Sequence, residues 1–326
     1  MAIISTFIIK SERRMTCYPV IIPTLNRYDH FRRCVESLAR NTHANETELI
    51  IGLDFPPSAK YEEGWRKIKD YLPTIKGFKA VTIFERETNL GAVRNNQGLS
   101  DYAFTHYDAV ISTEDDNEFS PCFLDYMNKM LEHFKDDPRV FNVSGYLPSD
   151  LAGLSTSGLL FTKEYNAWGG GTWRHKNPTF EERRELVHRI LHSTKMSWKS
   201  FMTYPAAFRM MLKMVKLGAM WGDVTKTQIN IFNETLQVRP AVSLCRNWGN
   251  DGSGVNCRID KSIAQQPISE ALTFEEPVNW EPYYLEKVAR ATFHLTWPKN
   301  PILFLGKLLI TILLYLKYRV THHFTV

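Results

Sequence analysis

Between Tyr18 and Pro121, short apolar runs alternate with amphipathic helical periods, and most of the apolar runs end in polar or acidic residues. That alternation constrains the fold most, because strands separated by helices pair in parallel and need helices over both faces. Tyr18-Pro-Val-Ile-Ile-Pro23 reads as a buried strand running into Thr24, Asn26 and Arg27, and residues 28–40 carry Phe31, Val35 and Leu38 at helical spacing. Residues 48–54, 80–84 and 108–113 read as further strands, with helices expected over 61–71 and 91–104. The last of these strands runs into Glu114-Asp-Asp116, and another helix begins near Pro121. In such sheets ligands sit at the carboxyl ends of the strands, so residues 24–27, Asp54 and residues 114–116 are expected to converge on one crevice.

Composition narrows the class. With 44% hydrophobic and 13% aromatic residues in 326, the chain can bury a substantial core. A net charge of +5, scattered along the sequence, argues against a nucleic-acid groove. The five cysteines form no Cys-x-x-Cys and no regular framework, which fits a reducing, cytoplasmic setting. Residues 1–16 read as an extension whose positive charges follow its apolar stretch instead of preceding it, a poor secretory signal. Beyond Pro148 the pattern loosens into Gly-, Trp- and Ser-rich loops, with helical stretches over 180–192 and 205–215.

The carboxyl end is different. Residues 302–316 are almost wholly apolar and are followed by Lys317, Tyr318 and Arg319; as a helix the run spans about 22 Å, short of a bilayer core. An interfacial helix with a basic flank is the leading reading, which would make the protein peripheral on the inner face of the membrane; a packed terminal helix and a true span remain open.

Three consecutive carboxylates after an apolar strand repel one another unless a positive charge sits among them. A hard divalent cation, Mn²⁺ or Mg²⁺, bound to carboxylate and phosphate oxygens would supply it; capping of the next helix is the plain alternative. In its setting, Glu114-Asp-Asp116 resembles the Asp-x-Asp type motif of glycosyltransferases with the GT-A fold, particularly family 2-like enzymes that build bacterial surface polysaccharides. Pro19-Val-Ile-Ile-Pro-Thr-Leu-Asn-Arg27 resembles that family's opening strand and nucleotide loop. Asp54 stands at the position of its base-contacting aspartate, although Phe55-Pro-Pro57 replaces the usual acidic and serine residues. Asn89-Leu-Gly-Ala-Val-Arg-Asn-Asn-Gln-Gly98 resembles its Asn-x-Gly turn and following helix. Ala167-Trp-Gly-Gly-Gly-Thr-Trp173 and Met220-Trp-Gly-Asp223 resemble its Trp-Gly-x-x-Thr-Trp and Trp-Asp segments, the latter with one glycine inserted. Residues 247–257 resemble its Gly- and Ser-rich closing loop.

The resemblance implies a GT-A type α/β fold with a mostly parallel, Rossmann-like sheet, helices on both faces, and a C-terminal helical extension. It implies a domain over 17–258, split into a nucleotide-sugar half (17–147) and an acceptor half (148–258), with 259–326 as the extension. The implied reaction is inverting transfer of a hexosyl or N-acetylhexosaminyl group from a nucleotide-diphosphate sugar, a UDP-sugar by preference, to a glycan or lipid-linked acceptor. Donor contacts would come from Pro23, Thr24, Asn26, Arg27, Asp54, Asn89, Gly91, Arg94, Asn95, Glu114 and Asp115, with Asp116 on the metal and Arg94 meeting phosphate or pairing with the acidic cluster. Because neighbours on an extended strand point to opposite sides, only Glu114 and Asp116 would share a face unless the chain turns. Trp168, Gly170 and Trp173 are candidate sugar contacts, a core role for a tryptophan being equally open. Asp223 is the candidate base, with a helix cap as its plain reading and Glu181, Glu182 and Asp251 as competitors. A nucleotidylyltransferase on the same sheet, and a membrane-peripheral module that binds the donor without turnover, are the alternatives.

Overall fold

The computed structural model describes residues 15–155, 158–253, 259, 261–272, 288–289, 298 and 300–321. Residues 254–258, which include Asn256 and Cys257 of the closing loop, lie outside the described residues, as does most of the N-terminal extension.

The expected alternation is present. Strands β1 (Val20–Thr24), β2 (Glu48–Leu53), β3 (Ala80–Glu85) and β4 (Ala109–Ser112) are interleaved with helices α1 (Tyr28–Ala39), α2 (Glu62–Tyr71) and α3 (Gly91–His106). They pair in parallel in the order β3-β2-β1-β4, with Val20 opposite both Leu49 and Ile111. β1 is buried on both faces, as a central parallel strand should be. Ile21 packs with Ile50, Leu99, Ala103 and Val110 under α3. Val20 and Ile22 pack on the opposite face with Phe31, Val35 and Leu38 of α1 and with Phe123 and Met127 of α4 (Phe123–His133). The chain leaves β1 toward β2 on one side and has β4 on the other, so the crevice at the ends of β1 and β4 is the topological switch point.

After β4 the acidic residues form a turn, and the short strand β5 (Asn117–Phe119) follows. The second half adds β6 (Val140–Ser144), β7 (Leu159–Thr162), β8 (Gly170–Trp173) and β9 (Leu236–Pro240), which extend the sheet in the order β4-β8-β6-β9-β7. Here the pairing is mixed: β8 runs antiparallel to β4 and β6, and β7 to β9, while β6 and β9 are parallel. Of these strands β8, Gly-Gly-Thr-Trp, is the hardest to see in the sequence, because it opens on two residues of little strand propensity. Its glycine serves packing, since a Cβ on Gly171 would lie 2.9 Å from Met127 Cε and 3.1 Å from Leu131 Cδ1. The last strand, β10 (Cys245–Asn247), pairs antiparallel with β5 and places Asn247 opposite Asn117.

Helices α5 (Phe180–His192), α6 (Thr194–Thr203), α7 (Pro205–Lys216) and α8 (Gly222–Phe232) form a second apolar cluster around Val187, Ile190, Met211 and Met214. A short α9 (Lys261–Ala264) follows, and then α10 (Pro301–Thr321). At 21 residues α10 is about 31 Å long, so the span read from the apolar run alone is too short. Phe304, Leu308, Thr311, Tyr315 and Tyr318 recur at steps of four and three and turn one face onto the second cluster. The opposite face stays exposed, from Leu303 (61%) through Leu305 (63%) and Leu309 (59%) to Leu316 (51%).

Candidate active site

Three loops meet at the switch point. Thr24, the last residue of β1, is buried and donates its hydroxyl to Asp115 Oδ2 at 2.8 Å. Arg27, in the loop before α1, donates to Asp116 Oδ2 at 2.7 Å and forks onto Asp115 Oδ1. Burial opposes the Arg27 charge, but Asp115 and Asp116 hold its pKa above the ordinary value. Asp115 is itself held above the carboxylate range by burial, with Arg27 pulling the other way.

The chain turns at residues 115–116, so the adjacent Asp115 and Asp116, and not only alternate acids, converge on Arg27. Glu114 goes elsewhere, accepting from the Trp168 indole N–H at 3.2 Å and opening into a cavity of about 230 Å³. Pro23, Asn96, Ser112, Tyr165, Gly170, Arg183, Asp223 and Lys226 also line that cavity. Glu114 is exposed toward the cavity, and the desolvation of its carboxylate there, followed by the charges of Asp116, Asp223 and Asp115, lifts its pKa to about 8.

Asp223 lies in the first turn of α8 without capping it: the N-cap is Trp221, with no side-chain capping bond. Asp223 is exposed toward the cavity, and desolvation of its carboxylate there lifts its pKa to about 6, with Lys226 opposing and Glu164 adding to the rise. The other candidate bases are engaged elsewhere. Glu182 closes a capping box with Thr179, and Glu181 pairs with Arg184 at 2.9 Å. Asp251 pairs with His30 at 3.0 Å and accepts from Ser253; although burial opposes it, these bonds bring its pKa down to about 2.

Asp116 is locked from behind. Asn247 donates to Oδ1 at 2.6 Å, and the Trp248 N–H donates to the Asp116 carbonyl at 2.8 Å. Gly249 passes so close that a Cβ there would fall 2.0 Å from Asp116 Oδ2, so the start of the closing loop requires glycine. Each carboxylate oxygen still has a second lone pair. Three adjacent carboxylates with a single arginine among them leave an excess of negative charge that a hard divalent cation on these oxygen donors would relieve, so the residues fit Mn²⁺ or Mg²⁺.

Asp54 sits one strand away, with its N–H on the Thr24 carbonyl at 2.9 Å. Its carboxylate accepts the N–H groups of Leu90 and Gly91, both at 2.8 Å, and lies 3.4 Å from the Asn89 amide. Asp54 thus fixes the start of α3. Gly91 has φ +75°, the left-handed region that the turn needs. Asn26 is half-buried, and its carbonyl lies where a side chain at Gly64 would fall.

Among the described contacts, three of the expected site residues do not join the acidic turn. Asn95 points away from the crevice: it is buried, donates to the Gly52 carbonyl at 2.8 Å and accepts from Arg86 at 3.0 Å. The neighbouring Asn96, one helical step around, faces the cavity and accepts from Ser112 at 3.2 Å. Arg94 is exposed and, among the described residues, forms no ion pair; Arg27 meets the acidic pair instead. Trp173 is fully buried, with its indole N–H on the Leu131 carbonyl at 2.9 Å, so it belongs to the core. Tyr165, Arg183 and Lys226 are cavity residues that no sequence motif marked. A larger cavity of about 510 Å³, between Val140, Lys176 and α5, gathers no comparable set of acids.

Residues 20–196 match the family described as glycosyl transferase family 2. Among solved structures the chain is similar to TarS of S. aureus, at 17% identity over 40% of this chain and 21% of that one, with a TM-score of 0.27. The 1–349 fragment of TarS in complex with UDP-GlcNAc gives 17% identity, 42% and 38% coverage, and a TM-score of 0.29. The Pyrobaculum calidifontis mannosyltransferase PcManGT, in complex with GDP-Man and Mn²⁺, gives 13% identity, 66% and 73% coverage, and a TM-score of 0.35. The chain therefore spans well under half the length of the TarS structures it matches. No curated protein matches it.

Proposed function

The chain belongs to glycosyl transferase family 2, and from that premise we propose that it is a metal-dependent, inverting glycosyltransferase acting on a nucleotide-diphosphate sugar, a UDP-sugar by preference, with a glycan or lipid-linked glycan as acceptor. One observation carries the reading: Glu114, next in sequence to the Asp115–Asp116 pair that Thr24 and Arg27 tie to β1, lines one cavity with Asp223. Residues 17–147 form the nucleotide-sugar half in this reading, and 148–258 the acceptor half.

Asp116, with Asp115 beside it, would hold the divalent cation, whose chemistry is to neutralise the diphosphate as it leaves. Arg27 and Thr24 fix the two carboxylates. Glu114, oriented by the Trp168 indole, faces the donor sugar. Asp223 takes the proton from the acceptor hydroxyl; that oxygen bonds to the anomeric carbon while the bond from carbon to the diphosphate oxygen breaks on the opposite face. A base with a pKa near 6 is ionised at neutral pH and strong enough to assist.

The test is to incubate the protein with Mn²⁺ and a panel of nucleotide sugars and to identify the phosphate product. The expected outcome is nucleoside diphosphate, lost in Asp116→Asn. Pyrophosphate would mean a nucleotidylyltransferase, and donor binding without turnover a non-catalytic module; either would overturn the proposal.

A peripheral membrane position is part of the same proposal. One helix among the described residues, spanning Pro301–Arg319, is long and apolar enough to cross a bilayer, with a mean hydropathy of 1.7 and only 11% of its apolar window buried. Its outer face is apolar over its length, and Lys317 and Arg319 lie at its end, the composition of a helix resting in an anionic lipid surface.

A further inference from the structure

The cavity wall on α5 and α8 carries two cations that, among the described residues, form no ion pair. Arg183 is only 6% exposed, and its polar contacts are the Thr225 hydroxyl and the Thr179 carbonyl, each at 3.4 Å. Among the described residues no carboxylate lies within ion-pair distance of it. Lys226 has its ammonium 3.4 Å from the Tyr165 hydroxyl and 4.8 Å from that ring's centre, again with no ion pair. Burial and then Arg183 push the Lys226 pKa down to about 8, with Asp223 opposing, so the two cations sense each other.

Arg239 shows what a settled interior arginine looks like in this fold. It is fully buried, and it bonds Thr162 at 2.9 Å, the Tyr146 carbonyl at 2.8 Å and the Glu164 carbonyl at 3.0 Å, with the Glu164 carboxylate 3.8 Å away. Arg183 has only its two long bonds, although a buried guanidinium with no carboxylate partner is costly. Its free donors and the Lys226 ammonium line the cavity that holds Asp223.

We propose that Arg183 and Lys226 form a subsite for an anionic substituent, a phosphate or a carboxylate, on the acceptor, beside the hydroxyl that Asp223 deprotonates. This rests on the glycosyltransferase reading of the site. The acceptor is favoured over the donor because Lys226 shares α8 with Asp223, whereas the residues suited to the donor diphosphate, Thr24, Arg27, Asp115 and Asp116, belong to the loops after β1 and β4. A guanidinium beside an ammonium suits a group with two or three acceptor oxygens.

Calorimetric titration of the full chain with glucose 6-phosphate, methyl glucuronide and methyl glucoside tests it. The phosphorylated sugar or the uronide should bind at least about tenfold tighter than the neutral sugar, the scale of a charge-assisted hydrogen bond. Preference for the first identifies a phosphate and for the second a uronic acid; either supports the subsite. Arg183→Gln and Lys226→Met should abolish the preference, and Arg183→Lys should restore part of it. Lys226, being only half-buried, keeps the test usable if Arg183→Gln does not fold. Equal binding of all three sugars, or an undiminished preference in a folded Lys226→Met protein, overturns the inference. Nucleotide-sugar turnover measured on the same preparation keeps the two readings apart: turnover without anion preference sinks this inference alone, and anion preference without turnover sinks the parent reading.

Discussion

Arg27 reaches across from the end of β1 to hold Asp116 at 2.7 Å, and its second nitrogen is on Asp115, so one side chain from the first loop fixes both carboxylates of the fourth. A planar fork can do this and a point charge cannot. Arg27→Lys should therefore behave more like Arg27→Gln than like wild type. Both are expected to lose transfer activity by about a hundredfold, and Arg27→Gln to lose about 3 kcal/mol of stability, because the two carboxylates keep their burial without their partner. Urea unfolding and a transfer assay read the two effects; a Lys variant with wild-type activity would show that charge alone suffices.

Asp223 sets a pH dependence whose sign can be worked out. As a base it must be ionised, so kcat/KM should fall as pH drops through about 6. Stability runs the other way: the folded state holds this proton more tightly than the unfolded chain does, so stability is lost as pH rises from the ordinary 3.8 through about 6. Asp223→Asn should then lower transfer by about a hundredfold to ten-thousandfold while melting no lower than wild type at neutral pH. A variant that melts earlier would point to a structural aspartate.

Asn95 gives the opposite pattern. Its amide joins Gly52 of β2 to Arg86, and a Cβ at Gly52 would come within 2.4 Å of its Oδ1. Asn95→Ala should cost about 1–3 kcal/mol through the partners left unsatisfied, with donor turnover unchanged. Turnover lost at constant stability would put Asn95 back in the donor site.

The parallel half of the sheet was legible because its signal is local: an apolar run buried on both faces and a polar residue at its end suffice to place Thr24, Asp54 and Asp116 at one edge. What was not legible depends on contacts far apart in sequence. Asn95 and Asn96 are adjacent and chemically identical, and only the rotation of α3 against β2 decides which faces the cavity. Trp173 and Trp168 share one motif, yet β8 sends the first under α4 while the second reaches Glu114. The turn that brings Asp115 and Asp116 onto one arginine is set by β5 pairing with β10, whose strands are separated by more than a hundred residues. Arg183 and Lys226 follow no motif, since nothing in an amphipathic helix shows that one of its charges faces inward.

The outer face of α10 separates packing from membrane contact. Leu305, Leu309 and Leu313 are 63%, 59% and 56% exposed, whereas Tyr318 on the inner face is 6% exposed and the Tyr315 hydroxyl reaches the Leu191 carbonyl at 3.3 Å. Exposed leucines contribute little to folding, but each would bring about 1.5–3 kcal/mol to a lipid interface on burial. A triple Leu→Glu change at 305, 309 and 313 should abolish cosedimentation with phosphatidylglycerol vesicles and leave the melting temperature near wild type. Tyr318→Ala should lower the melting temperature by removing a side chain from the second cluster. A triple variant that melts much earlier, or that still binds vesicles, would mean that this face covers protein and that the helix is not held in a lipid surface.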